Sequence, residues 1–283
     1  MRWFKSIRYI RGYISEFADS KVTVSTLRKM KEKGEKIACL TSYDFTTAGI
    51  VDAAGVDFIL VGDSAANVMM GYDTTVPITV DDMITYAKGV VRAARRAMVI
   101  VDMPFGYYQG QPLTAVQTAV RIMKETGATG VKMEGGSEIA DEIRRVISAG
   151  IPVCGHLGLT PQSVNVFGGY GVRAKAEAEA EKLIADALEL ERLGCFALVL
   201  EKIPAALAAR VAQALKIPVI GIGAGADVDG QILVVQDMLG LNRGFSPKFM
   251  RKYASMGDAM QQALEHYVSD VKEVDFPNAS EQY

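Results

Sequence analysis

From Lys36 onward the chain repeats one unit: a short apolar run, a polar or glycine-containing loop, then an alanine-rich helical stretch. The runs are KIACLTS (36–42), DFILVG (57–62), AMVIVD (97–102), GVKME (130–134), IPVCGH (151–156), FALVLE (196–201) and IPVIGIG (217–223). They are hydrophobic almost throughout and do not alternate strictly. Strands covered on both faces of a parallel sheet read this way. Between them, PLTAVQTAVRIMKETG opens on proline and leucine and closes at Gly127, AEAEAEKLIADALELERLG stops at Gly194, and AALAARVAQALK is a third helical stretch. A basic last turn followed by glycine is an ordinary helix stop. Seven strand–helix units are evident, and FSPKFM (245–250) is the expected eighth strand.

Alternating β and α over 283 residues predicts an α/β fold, a (β/α)8 TIM barrel, with a doubly wound open sheet as the alternative. TVSTLRKMKEKGE (22–35) predicts an N-terminal helix capping the barrel base, and the tail from Met256 predicts C-terminal helices with a polar end. The expected organisation is an N-terminal extension over 1–21, a single barrel domain over 22–270 and a polar tail over 271–283.

Composition narrows the function. With 31 basic and 33 acidic side chains the chain is nearly balanced, so it offers no basic face to nucleic acid and no polybasic membrane patch. No apolar run approaches the roughly 20 residues of a membrane span. Cys39, Cys154 and Cys195 are far apart and lie in apolar runs, which fits small buried hydrophobes in a reducing, cytoplasmic setting and not a zinc site. The first fifteen residues, MRWFKSIRYIRGYIS, carry four basic residues and no acid. They suit a targeting segment, a surface helix or an upstream extension of the reading frame, without the continuous apolar core of a secretory signal.

Barrel chemistry belongs at the C-terminal ends of the strands. Three successive strands finish on an acid: Asp63 after Val61-Gly62, Asp102 after Val101, and Glu134 after Lys132-Met133. Neighbouring strands lie about 4.8 Å apart, so these acids should converge. Three uncompensated carboxylates repel, and protons or a cation must settle the charge. Hard oxygen ligands without clustered histidine or cysteine fit Mg²⁺. Helix N-caps or ion-pair partners are the alternative roles. Lys132, two residues before Glu134, shares its face and suits a substrate carboxylate or an enolate oxygen, or simply neutralises the acids. Glu201 ends an apolar strand, where a carboxylate is expensive to bury, and suits a proton acceptor or a structural ion pair. His156 ends the fifth strand and is either a structural hydrogen-bonding residue or a participant in catalysis. Gly221-Ile222-Gly223-Ala224-Gly225 suits a phosphate loop or tight packing at the mouth.

These residues sit in blocks that resemble the ketopantoate hydroxymethyltransferases. The blocks are LTSYDFTTA (40–48), LVGDS (60–64), GYDTTVPITVDDM (71–83), VDMPFG (101–106), VKMEGG (131–136), PVCGHLGLTPQSVNVFGGY (152–170), LVLE (198–201) and IPVIGIGAG (217–225). The resemblance spans about residues 22–270 and implies a barrel of the phosphoenolpyruvate mutase and isocitrate lyase type. It implies Asp63, Asp102 and Glu134 as ligands of one Mg²⁺ per subunit. It implies Asp63, Ser64, Asp102 and Lys132 as contacts of the 2-oxo acid, and Glu201 as the proton acceptor. It further implies 5,10-methylenetetrahydrofolate as one-carbon donor, a homo-oligomer, commonly a decamer, and a place on the route to pantothenate. AANVMM after Ser64 departs from the LGM-like residues of many members, and the stretch before Lys21 lies outside the resemblance. A Mg²⁺-dependent C–C or C–P lyase or mutase on the same barrel is the alternative activity, and a non-catalytic metabolite-binding barrel the alternative class.

Overall fold

A computed structural model of the chain describes residues 20–244 and 246–283. The expectations for the N-terminal extension therefore lie largely outside the described residues. Eight parallel strands close on themselves in chain order: β1 (Ile37–Thr41), β2 (Phe58–Val61), β3 (Met98–Asp102), β4 (Gly130–Glu134), β5 (Val153–Gly158), β6 (Ala197–Glu201), β7 (Val219–Ile222) and β8 (Gly230–Leu233). The open-sheet alternative is thereby excluded. The eighth strand is not FSPKFM: residues 246–250 hold a turn, and GQIL forms β8 only eight residues after β7. Four residues beside a glycine-rich loop carry too little periodicity to stand out. β8 is recognised by its partner, since Ile220 pairs with Gly230 and Gly221 with Gln231.

The helices lie where their local signals place them. α1 (Val24–Glu32) starts at a reciprocal cap between Thr23 and Thr26. α2 (Phe45–Ala53) follows Asp44, whose side chain accepts from the Thr47 N–H. A short α3 (Ala65–Val68) precedes α4 (Val80–Ala93), which opens on a Thr79–Asp82 capping box. α5 (Pro112–Thr126) begins on proline and stops at left-handed Gly127. α6 (Ala140–Ser148), a short α7 (Val164–Phe167), α8 (Glu177–Leu193) and α9 (Ala205–Ala214) complete the barrel units. The chain divides after Ile232, and Leu233–Tyr283, with α10 (Val235–Met238) and α11 (Met256–Glu273), forms a second compact unit.

Register decides what faces inward. Leu27 and Met30 of α1 pack with Ile37, Cys39, Phe58, Leu60, Met98, Ile100, Cys154, Val199, Ile220 and Ile232 in one buried cluster. These are alternate residues of successive strands, the inward set of a filled barrel. α1 thus plugs the base, as its apolar positions predict. Continuing the same alternation toward the C-terminal ends leads from Ile100 to Asp102, from Cys154 to His156 and from Val199 to Glu201. Below lies a dry hydrocarbon core, and the next inward layer is ionisable.

Candidate active site

Four of the five ionisable side chains in that layer are almost completely buried. Asp102, Lys132, Glu134 and His156 are each at most 5% exposed, as is Asp63, which follows β2. Lys132 is the centre. Its Nζ lies 3.1 Å from Asp102 Oδ1, 3.2 Å from Glu134 Oε1 and 3.0 Å from His156 Nδ1. The Glu134 carboxylate accepts one of the lysine N–H bonds, and Asp102 meets the ammonium as an ion pair. Asp102 Oδ2 accepts from the Asp63 backbone N–H at 2.9 Å, which ties β2 to β3 at the mouth. His156 Nδ1 is also 3.1 Å from Glu134 Oε1. Its Nε2 lies 3.5 Å from Glu201 Oε2, an ionic approach without a directed hydrogen bond.

The sequence places four acids and a lysine at strand ends, and the fold gathers them. Asp102, Lys132, Glu134 and His156 are in direct contact, and Glu201 approaches His156 from the neighbouring strand β6. Glu201 is less buried than an apolar strand suggests, with 16% of its side chain open to solvent. Ser64 points elsewhere among the group: its Oγ is 2.8 Å from the hydroxyl of buried Tyr43. AANVMM forms α3 and turns buried Ala65 and Ala66 inward, while Met69 and Met70 are exposed.

Burial and mutual charge set each group's proton affinity. Burial, then Glu134 and Asp102, push the Asp63 carboxyl well above the usual carboxylate range. Burial raises Asp102 too, with Lys132 pulling the other way. Burial would also raise Glu134, but Lys132 and His156 outweigh it and hold that carboxyl down at about 2. For Lys132, burial favours the neutral amine and is overcome by Asp102, Glu134 and Asp63. For His156, burial and Lys132 press downward, and Glu134 with Glu201 more than compensates. Without an ion, Lys132 and His156 offset part of the acid charge and Asp63 favours its proton; a divalent cation would take over from those protons and let all three acids ionise in a dry volume. Asp102 Oδ1 supports this, being buried with no aligned hydrogen-bond donor. Among the described residues, no group of three His, Cys, Asp or Glu side chains is placed to hold an ion unaided. Water or substrate oxygens would have to complete the shell, as is usual for Mg²⁺.

Three contributors escape the strand-end argument. Gln162 donates to Asp63 Oδ2 from its side chain and to Glu134 Oε2 from its backbone. Tyr108 accepts from the Glu134 N–H, and Tyr43 meets Ser64. Gln162 and Tyr43 stand inside the blocks CGHLGLTPQS and LTSYDFTTA, the only signal they carry, and Tyr108 carries none. Gly158 is left-handed (φ +92°), and a Cβ there would meet Glu201 O at 2.4 Å, so only glycine lets β5 turn away beside Glu201. The 221–225 run is explained by packing. A Cβ on Gly221 would meet Val228 at 3.0 Å, and one on Gly225 would meet Ala205 at 2.5 Å. All three cysteines are buried, and burial raises their thiols.

Comparison with known proteins completes the picture. The family model described as ketopantoate hydroxymethyltransferase matches residues 21–279. The 3-methyl-2-oxobutanoate hydroxymethyltransferase of Bacteroides fragilis is 64% identical over 272 residues, covering 96% of this chain and 99% of that one. The enzyme of the same name from Porphyromonas gingivalis is 61% identical over 263 residues, 93% of this chain and 96% of that one. The chain belongs to the ketopantoate hydroxymethyltransferase family. The resemblance carried by the motif blocks is therefore borne out. The ketopantoate hydroxymethyltransferase barrel seen here also has distant structural likenesses that speak for the fold alone. A 2,3-dimethylmalate lyase described as a PEP mutase/isocitrate lyase superfamily member superposes with a TM-score of 0.57 at 18% identity, over 92% of this chain and 90% of that one. A phosphonopyruvate hydrolase solved with oxalate and Mg²⁺ superposes at 0.59 with 11% identity, over 92% and 93%. No helix among the described residues is long and apolar enough to cross a membrane.

Proposed function

We propose that this enzyme transfers a hydroxymethyl group from 5,10-methylenetetrahydrofolate to 3-methyl-2-oxobutanoate, giving 2-dehydropantoate on the route to pantothenate and coenzyme A. The observation that carries the reading is the pairing across the mouth. A dry, acid-rich cluster built on Lys132 meets Glu201, a carboxylate with solvent access, through His156.

Asp63, Asp102 and Glu134 would hold one Mg²⁺, which when bound draws electrons from the 2-oxo group and makes the neighbouring C–H more acidic. Lys132, together with Asp63, Asp102 and Ser64, binds the oxo acid, and its ammonium stabilises negative charge on the oxo-acid oxygen in a low-dielectric site. Glu201 takes the proton from C3, where its partial exposure leaves room for substrate. The C3 carbon then bonds to the folate methylene carbon, water supplies the hydroxyl oxygen, and tetrahydrofolate leaves. Burial of all three thiols leaves none on the mouth, which disfavours a lyase or mutase relying on a loop cysteine. A homo-oligomer, decameric as the resemblance implies, working in the cytoplasm, completes the proposal.

The test is proton exchange at C3 of 3-methyl-2-oxobutanoate in D₂O, followed by NMR with and without Mg²⁺ and the folate. Mg²⁺-dependent exchange, with hydroxymethyl product only when the folate is present, is the expected result. Metal binding without any exchange would sink the reading.

A further inference from the structure

Gln162 lies in the 3-10 turn Pro161–Ser163 after β5 and is only 4% exposed. Every hydrogen-bonding direction of its side chain is used. Oε1 accepts from the Tyr108 hydroxyl at 2.7 Å and from Gln109 Nε2 at 3.0 Å. Nε2 donates to Asp63 Oδ2 and to Met103 O, both at 2.9 Å. Two acceptor sites and two donors saturate an amide, so its orientation is fixed and its NH₂ end must face Asp63. The backbone N–H of the same residue donates to Glu134 Oε2 at 3.0 Å. Tyr108 closes the circuit, accepting from the Glu134 backbone N–H at 3.0 Å while its own proton goes to Gln162.

One residue on a loop thus grips all three segments that carry the acids: the Asp63 carboxylate, the carbonyl next to Asp102, and the Glu134 carboxylate. We propose that Gln162 is the positioning residue of the acid cup, setting the separation and orientation of Asp63, Asp102 and Glu134 for the cation. This rests on the reading of those acids as the cation site. Like charges brought together in a dry site repel, and without a clamp they would splay. A neutral amide can hold them without adding charge, whereas a lysine in its place would compete with the ion.

The experiment uses the full-length protein and Mn²⁺ alone, with free ion counted by electron paramagnetic resonance and no oxo acid or folate present. Gln162→Met keeps the volume and removes all four side-chain hydrogen bonds. Tyr108→Phe leaves Gln162 in place and removes the hydroxyl that fixes its amide and accepts from the Glu134 N–H. Gln162→Met is expected to weaken Mn²⁺ binding about tenfold or more, the equilibrium weight of a hydrogen bond to a charged group. Tyr108→Phe should weaken it by a smaller factor, with the native circular dichroism spectrum kept. Unchanged Mn²⁺ affinity in folded Gln162→Met overturns the proposal, because a residue serving only packing moves the unfolding midpoint and not the affinity. If Gln162→Met does not fold, Tyr108→Phe decides in the same way. Asp63→Asn is the control on the underlying reading. If it binds Mn²⁺ as tightly as the parent, the acids are not the cation site, and both readings fall for that separate reason.

Discussion

Glu201 and Lys132 sit in opposite environments although both are charged residues at strand ends. Glu201 keeps solvent access at the mouth, and Lys132 is sealed among acids. Removing the carboxylate charge in Glu201→Gln should lower turnover about 10²–10⁴-fold, the usual weight of a positioned base. The fold and Mn²⁺ affinity should stay, and C3 deuterium exchange should disappear. Near-parental exchange would mean another group takes the proton. Removing the ammonium in Lys132→Met takes away the cation that Asp102 and Glu134 share and leaves His156 alone beside Glu134. Breaking a buried ion pair in this way costs about 3–5 kcal/mol. Urea unfolding in EDTA should show that loss and Mg²⁺ should recover part of it. An unchanged midpoint would show that the cluster is not held by Lys132.

Each barrel element carries a structural half and a chemical half. β4 is the plainest case. Gly130 begins it, and Lys132 and Glu134 follow on the same face. A Cβ on Gly130 would meet Pro152 O at 2.4 Å and Ile100 Cδ1 at 3.2 Å. Gly130→Ala must therefore push β4 away from β5 or from the core. Overpacking of this kind costs about 1–3 kcal/mol. Because the shifted strand also carries the site, activity per folded molecule should fall along with the unfolding midpoint. Stability lost with full specific activity would show that the mouth is insulated from the strand's base. Much at this scale was readable beforehand. Seven strands and the named helices follow from apolar runs, a proline start at α5, and glycine stops at Gly127 and Gly194. β8 was not, because GQIL is short and its pairing with β7 and the core, rather than its own pattern, makes it a strand.

At the scale of the whole molecule, a cation that binds only the folded barrel must stabilise it by mass action. At a hundred times its dissociation constant the gain is about 2.7 kcal/mol. The melting temperature should rise in Mg²⁺ over EDTA, and Asp102→Ala should abolish most of that rise while weakening oxo-acid binding. An undiminished rise in the variant would place the ion elsewhere. The sequence by itself determined the barrel class, the plug helix, the family, and the residue types at the strand ends. Strand and helix periodicities are local, and strand number three or four can be counted without knowing its neighbours. Only the tertiary structure decided that Lys132 sits at the centre of the cluster, that His156 stands between Glu134 and Glu201, and that Gln162 reaches both Asp63 and Glu134. Those contacts join residues up to 99 positions apart. Their distances are set by closure of the sheet and by how charge is settled in a volume without water, and no local pattern encodes either.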